Sequence, residues 1–145
     1  MHASPTAQPE KHVLALVNTR EDIERAENTL MEGLSRFGYS DAARFAVRLA
    51  LEEGLVNAFR HGHKHLPPTT PIRFEFIITA ETVTLDIEDQ GPGFDPAKVK
   101  DPTLEENLEI PTGRGLLLMR AYMASVDYLG RGNRVRMVFR PKPAA

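Results

Sequence analysis

Glu53 and Asn57 stand four positions apart in the segment Leu49-Ala-Leu-Glu-Glu-Gly-Leu-Val-Asn-Ala-Phe-Arg-His-Gly62. On a helix that spacing sets them one turn apart on a single face. A carboxylate beside a carboxamide can accept a proton and hold a hydrated Mg²⁺. The same face continues through Ala46, Leu49, Ala50, Val56 and Arg60, so both polar groups are expected in line with a core-facing stripe, where an unsatisfied polar group is costly. The other stripe, Val47, Leu51, Leu55 and Phe59, is also apolar. A solvated helix side carrying Glu53 and Asn57 is therefore the alternative.

A second acid follows a strand pattern. Val83, Leu85 and Ile87 alternate with Thr84, Asp86 and Glu88, so period-two parity aims Asp89 at the apolar face and the three polar residues outward. Asp89 can accept backbone bonds from the turn that follows it, or serve as a fixed acceptor for a ligand donor. Asp89-Gln-Gly91-Pro-Gly93-Phe94 then opens an aperiodic stretch with four prolines that runs to Pro111. Such a stretch suits a lid over residues 91–112, with Gly91 and Gly93 permitting close backbone approach. Thr112-Gly113-Arg114-Gly115-Leu116 leads into an apolar helical run. Free amides and the positive dipole end make that start an anion site, with Arg114 as a charge-assisted partner and Leu116 to Met119 as core.

These residues need a scaffold. His12–Val17 reads as a short strand. Thr19 caps a helix whose apolar positions are Ile23, Ala26, Leu30, Leu34 and Phe37, with Gly38 as its stop. Ser40 or Asp41 caps a second helix running to about Gly62. Its tail, His61-Gly-His63-Lys-His65, does not set three imidazoles on one helical face, and a basic cluster at a helix C-terminus has a dipole reason to exist. Ile72–Thr79 and Val83–Asp89 form an antiparallel pair. Val126–Leu129 and Val135–Phe139 form a hairpin around Gly130-Arg-Gly-Asn133, with Arg134, Arg136 and Arg140 facing out. The sum is an α+β two-layer sandwich: a mixed, mostly antiparallel sheet of about five strands with about three helices on one face. Residues 1–10 read as a loose tail, and 11–141 as one domain.

The 145 residues carry a net charge of −2 and contain no cysteine. That balance offers nucleic acid or an anionic membrane no electrostatic reward, and disulfides and thiolate metal sites are excluded. No apolar run reaches bilayer length, so a cytoplasmic protein is expected.

Three boxes in this order, Glu53-x-x-x-Asn57-Ala58, Asp89-x-Gly91-x-Gly93-Phe94 and Gly113-Arg-Gly115-Leu116-x-x-Met119, resemble the ATP-binding signature of the GHKL superfamily, whose nucleotide site is the Bergerat fold. The resemblance covers roughly Ser40 to Arg140. Within the superfamily the chain looks most like the stand-alone anti-sigma-factor serine/threonine kinases, through His61-Gly62 after the first box, a short lid, and Gly132-x-Arg134-Val135 at the last strand. A stand-alone form is expected, with no helix bearing a phosphoacceptor His ahead of the domain and no transducer domain after it.

The resemblance implies ATP and Mg²⁺ as cofactors. It gives Glu53 the role of general base and Asn57 that of Mg²⁺ ligand. Asp89 becomes the acceptor of the adenine amine, Gly91, Gly93 and Phe94 the lining of the base and lid, and Gly113, Arg114, Gly115 and Leu116 the phosphate cradle. Arg60, His61 and Asn133 join the nucleotide contacts, Asn133 standing where relatives often carry Thr. The implied partners are a sigma factor and a STAS-domain anti-sigma antagonist phosphorylated on serine, with a homodimer as a further expectation. A protein that senses ATP and sequesters a partner without catalysis is the alternative.

Overall fold

The short polar residues that punctuate the sequence set the first elements. In the computed structural model, which describes residues 8–93 and 122–141, Thr19 is the N-cap of helix α1 (Arg20–Arg36), its hydroxyl accepting from the Asp22 amide at 3.2 Å. Ser40 does the same for α2 (Asp41–Val56), accepting from Ala43 N–H at 3.1 Å. Each cap satisfies an amide that the first helical turn leaves without a partner. Between the two, Gly38 takes φ +76°, the left-handed conformation that lets Tyr39 N–H reach back to the Leu34 carbonyl and close α1.

Five strands follow the alternating patterns: β1 (Glu10–Leu16), β2 (Ile72–Ile78), β3 (Val83–Glu88), β4 (Ser125–Leu129) and β5 (Arg134–Phe139). They form one sheet in the order β1-β2-β3-β5-β4, every neighbouring pair antiparallel. The mixed sheet expected from the sequence is thus antiparallel throughout the described strands. One face buries Phe74, Phe76, Leu85, Ile87 and Met137 against Leu30, Leu34, Val47 and Leu51 of the helices, so the helices share one side of the sheet. The helix expected after Gly113 lies outside the described residues.

The sheet's other face is a field of charge. Glu75, Asp86 and Arg136 are cross-strand neighbours on β2, β3 and β5. Asp86, expected to point to solvent, is only 2% exposed. Arg134 donates to it at 2.7 and 2.8 Å and Arg136 at 3.2 Å, so two guanidinium groups cover the carboxylate on a face that no described helix packs against. Lys11 and Arg73 both reach Glu75 at 3.2 Å. These bonds let a polar face stand ordered without an apolar cover.

Two departures bear on the site. The core-facing stripe of α2 is Ala43, Ala46, Val47, Ala50, Leu51, Gly54 and Leu55, so Ala46 and Ala50 of the expected face are buried, while Glu53 is half-buried beside them and Val56 is 45% exposed. Glu53 and Asn57 therefore flank the buried stripe instead of lying within it. Past Val56 the second helix continues as a π-helical turn (Asn57–Gly62), closed by the His63 amide on the Ala58 carbonyl at 2.9 Å. Widening by one residue re-aims every side chain after it, and π turns occur often at functional sites.

Candidate nucleotide site

The second helix comes close to the sheet through glycines. A Cβ at Gly54 would lie 2.5 Å from Ile87 Cδ1 and 3.1 Å from the Met137 methyl, so a methyl there would have to push aside both side-chain ends where α2 meets β3 and β5. Two turns later a Cβ at Gly62 would meet the carboxylate of Asp89, and one at Gly91 would be driven into the Gly62 carbonyl oxygen. The end of the π turn and the segment after β3 thus meet glycine to glycine, with the Asp89 carboxylate laid across Gly62.

Asp89 and Gly91 are fixed by a dense set of bonds. Asp89 N–H donates to the Asn133 carbonyl at 2.8 Å, and the Asn133 carboxamide donates back to the Asp89 carbonyl at 2.7 Å. Arg131, from the β4–β5 turn, grips the Gly91 carbonyl through Nε at 3.1 Å and a terminal nitrogen at 2.9 Å. Gly91 N–H donates to Asp89 Oδ1 at 2.7 Å, and Gln90 N–H donates to His63 Nε2 at 2.9 Å. Gly93 has φ +77° and a Cβ there would strike the Arg131 carbonyl, so the chain leaves the turn on a path reserved for glycine.

Among the described residues no donor engages Asp89 Oδ2, which leaves one oxygen of a rigidly held carboxylate for a ligand. Burial is the largest influence on this group and raises its pKa above the ordinary carboxylate range; the Gly91 amide, His63 and Arg131 oppose the rise, and Glu88 adds to it. A partly desolvated acceptor of this kind prefers a ligand that brings a donor.

Glu53 and Asn57 are both half-buried, and neither side chain has a hydrogen-bond partner among the described residues. The two groups nearest the buried stripe that could act on a phosphate are thus uncommitted. Arg60 and His61 are exposed on the π turn, and the pKa of His61 is lowered, first by burial and then by Arg60 and Lys64. Among the described residues no group of three His, Asp or Glu side chains is placed to hold a metal ion. Asn133 is tied to Asp89 through both its backbone and its amide, a brace more than a free ligand group. Phe94, Gly113, Arg114, Gly115 and Leu116, together with most of the expected lid, lie outside the described residues.

Three contributors were not singled out in the sequence as parts of the site: Gly62, His63 and Arg131. Each acts on a residue at least 27 positions away. The only local sign was a glycine between two histidines, with an arginine between glycines in the last turn. An open cleft of about 560 Å³ abuts the same segment from the far side, lined by Val13, Arg73, Glu88, Asp89, Arg131 and Asn133 among others, and by no described residue of α2 or the π turn.

Residues 16–139 match a family model described as a histidine kinase-like ATPase domain. Over 95 residues the chain is 33% identical to the serine/threonine-protein kinase BtrW of Bordetella bronchiseptica, the alignment covering 64% of this chain and 66% of that protein. The chain therefore spans just under two thirds of that relative's length. No described helix is long and apolar enough to cross a membrane.

Proposed function

The chain belongs to the histidine kinase-like ATPase domain family, and from that premise we propose that it is an ATP- and Mg²⁺-dependent protein serine/threonine kinase, acting as an anti-sigma regulatory factor. The Bordetella relative is a serine/threonine-protein kinase, which supports the kinase half of this reading. The proposed acceptor is a serine on a STAS-type antagonist in a partner-switching pathway.

The observation that carries the ATP reading is the Asp89 carboxylate. One of its oxygens is spent on Gly91 and the other is left for a donor, beside two glycines that no side chain could replace. Adenine presents an exocyclic amine to such an acceptor, whereas guanine presents a carbonyl and is rejected. Gly91 and Gly93 would admit the base and carry the chain into the lid. Gly113, Arg114 and Gly115 would receive the phosphates.

Asn57 suits Mg²⁺, which takes few protein ligands and keeps its waters and phosphate oxygens. When bound, the ion would offset phosphate charge. Glu53 would take the proton of the incoming serine hydroxyl as its oxygen bonds to the γ-phosphorus and the bond to the β,γ-bridging oxygen breaks, leaving ADP.

Incubation with labelled ATP, Mg²⁺ and a STAS-domain partner tests the proposal. Label should reach a partner serine with the native chain, while Glu53→Gln binds ATP and transfers about a hundredfold more slowly or worse. Binding without transfer by either protein would instead favour an ATP-sensing module that sequesters its partner. Absence of ATP binding would end both readings.

A further inference from the structure

The turn that presents Asp89 is bonded almost wholly from one side. Asn133 and Arg131, both at the β4–β5 turn, hold Asp89 N–H, Asp89 C=O and Gly91 C=O. Among the described residues a single hydrogen bond reaches this turn from the helical layer, that from Gln90 N–H to His63 Nε2 at 2.9 Å. His63 is 7% exposed. Its own amide closes the π turn on Ala58, and its ring packs edge-on to Phe59 with centroids 6.0 Å apart. The bond from Gln90 N–H requires Nε2 to act as the acceptor.

We infer that His63 is a positioning residue for base recognition: it sets the spacing between the π turn and the Asp89–Gly91 turn, and so the width of the adenine cradle. The inference rests on Asp89 reading the base. The physical reason is the fit between Gly62 and Asp89. Their contact leaves no slack, and the sheet-side bonds fix the turn to β5 without fixing its distance from the helix. Among the described residues the imidazole bond is the one that ties this turn to the π turn, the Gln90 side chain reaching instead to the Pro71 carbonyl at 2.8 Å, and the neighbour of His63 along the chain is Gly62 itself. A ligand amine aimed at Asp89 Oδ2 must enter within the same interval.

Two substitutions separate this role from mere filling of space. Leucine keeps apolar bulk but takes away the acceptor of Gln90 N–H. Glutamine offers a carboxamide oxygen at similar reach. Binding of ATP and of GTP, each with Mg²⁺, is measured by calorimetry on the full chain. Amide exchange of Gln90 is followed in the ligand-free protein.

For His63→Leu we expect ATP affinity to fall about tenfold, the ATP-over-GTP preference to shrink, and Gln90 exchange to accelerate by a similar factor. For His63→Gln all three should return most of the way to the native values. If His63 only fills space, the order reverses: leucine is tolerated and glutamine is not. That order, or native values for the leucine variant, overturns the inference. If leucine prevents folding, the glutamine variant decides alone, since native affinity and native Gln90 protection support the bond and loss of either refutes it. A native chain that binds no ATP would refute the nucleotide reading itself, whereas the Gln90 exchange rates report the bond without nucleotide.

Discussion

Replacing Asp89 with asparagine changes one atom of the proposed base-reading group and leaves its shape. In the native chain Oδ1 accepts from Gly91 N–H and Oδ2 has no protein donor among the described residues. An asparagine has one acceptor oxygen. If that oxygen keeps the Gly91 bond, the NH₂ takes the place of Oδ2 and turns an acceptor into a donor. If the amide flips, Gly91 N–H loses its partner. Either way a hydrogen bond to a charged group is lost, about 1.5–3 kcal/mol, so ATP affinity should fall roughly tenfold to a hundredfold. GTP, whose carbonyl meets the new NH₂, should lose less or gain.

The ligand-free protein should respond in the opposite sense. Burial raises the pKa of Asp89, so the folded state holds this proton more tightly than the unfolded chain does. Its stabilisation is complete below the ordinary carboxylate range and is lost as pH rises through the raised value; at neutral pH the group is a net cost. Asparagine removes that cost. The variant should melt no lower than the native protein at pH 7 and should lack this group's share of stabilisation on acidification. Calorimetric titration with both nucleotides and melting from pH 4 to 7 measure the two effects. Native ATP affinity with an unchanged preference over GTP would refute the assignment of Asp89 to the base.

Three further outcomes follow from the geometry. Gly91→Ala forces a methyl against the Gly62 backbone carbonyl, which cannot yield as a side chain would; the melting midpoint should fall by the equivalent of about 1–3 kcal/mol and ATP affinity should drop with it. Asp86→Ala leaves Arg134 and Arg136 facing each other on the open side of the sheet. Because both arginines are partly hydrated, urea denaturation should show a loss of about 1–3 kcal/mol, with ATP affinity kept.

Tyr39, whose hydroxyl donates to the Thr79 carbonyl at 2.6 Å, has its pKa pushed up to about 12 by burial and then by Glu81. Stability linked to this proton is full below the unfolded value and is lost as pH rises through about 12. Absorbance at 295 nm should show one of the three tyrosines ionising late, a phase that Tyr39→Phe removes.

Local rules made the scaffold legible. Thr19 and Ser40 cap as their neighbours require, and alternation identified the strands to within one or two residues. Long-range geometry was not legible. Parity alone sent Asp86 outward, as the sheet does, but only the cross-strand register puts Arg136 beside it and buries it. Helical spacing set Glu53 and Asn57 on one stripe, yet only the packing of α2 decides that burial falls on Ala46, Ala50 and Gly54 and leaves Glu53 and Asn57 at its edge. Nothing in the composition of Asn57–Gly62 distinguishes a π turn from an α-helical one. The partners of Gly62 and His63 come from another element, so their part could not be read from spacing.

The pairing of β1 with β2 has a consequence for how the chain assembles. Glu10 sits opposite Ile78 and Leu16 opposite Ile72, so β1 leaves the ribosome without its β2 partners until both helices and the start of β2 have been synthesised. Throughout that interval the nascent chain carries a naked strand whose amides are open to a neighbour's. Pulse-labelled exchange during refolding should therefore find the amides of Glu10–Leu16 protected no sooner than those of Ile72–Ile78, with α1 and α2 protected ahead of both.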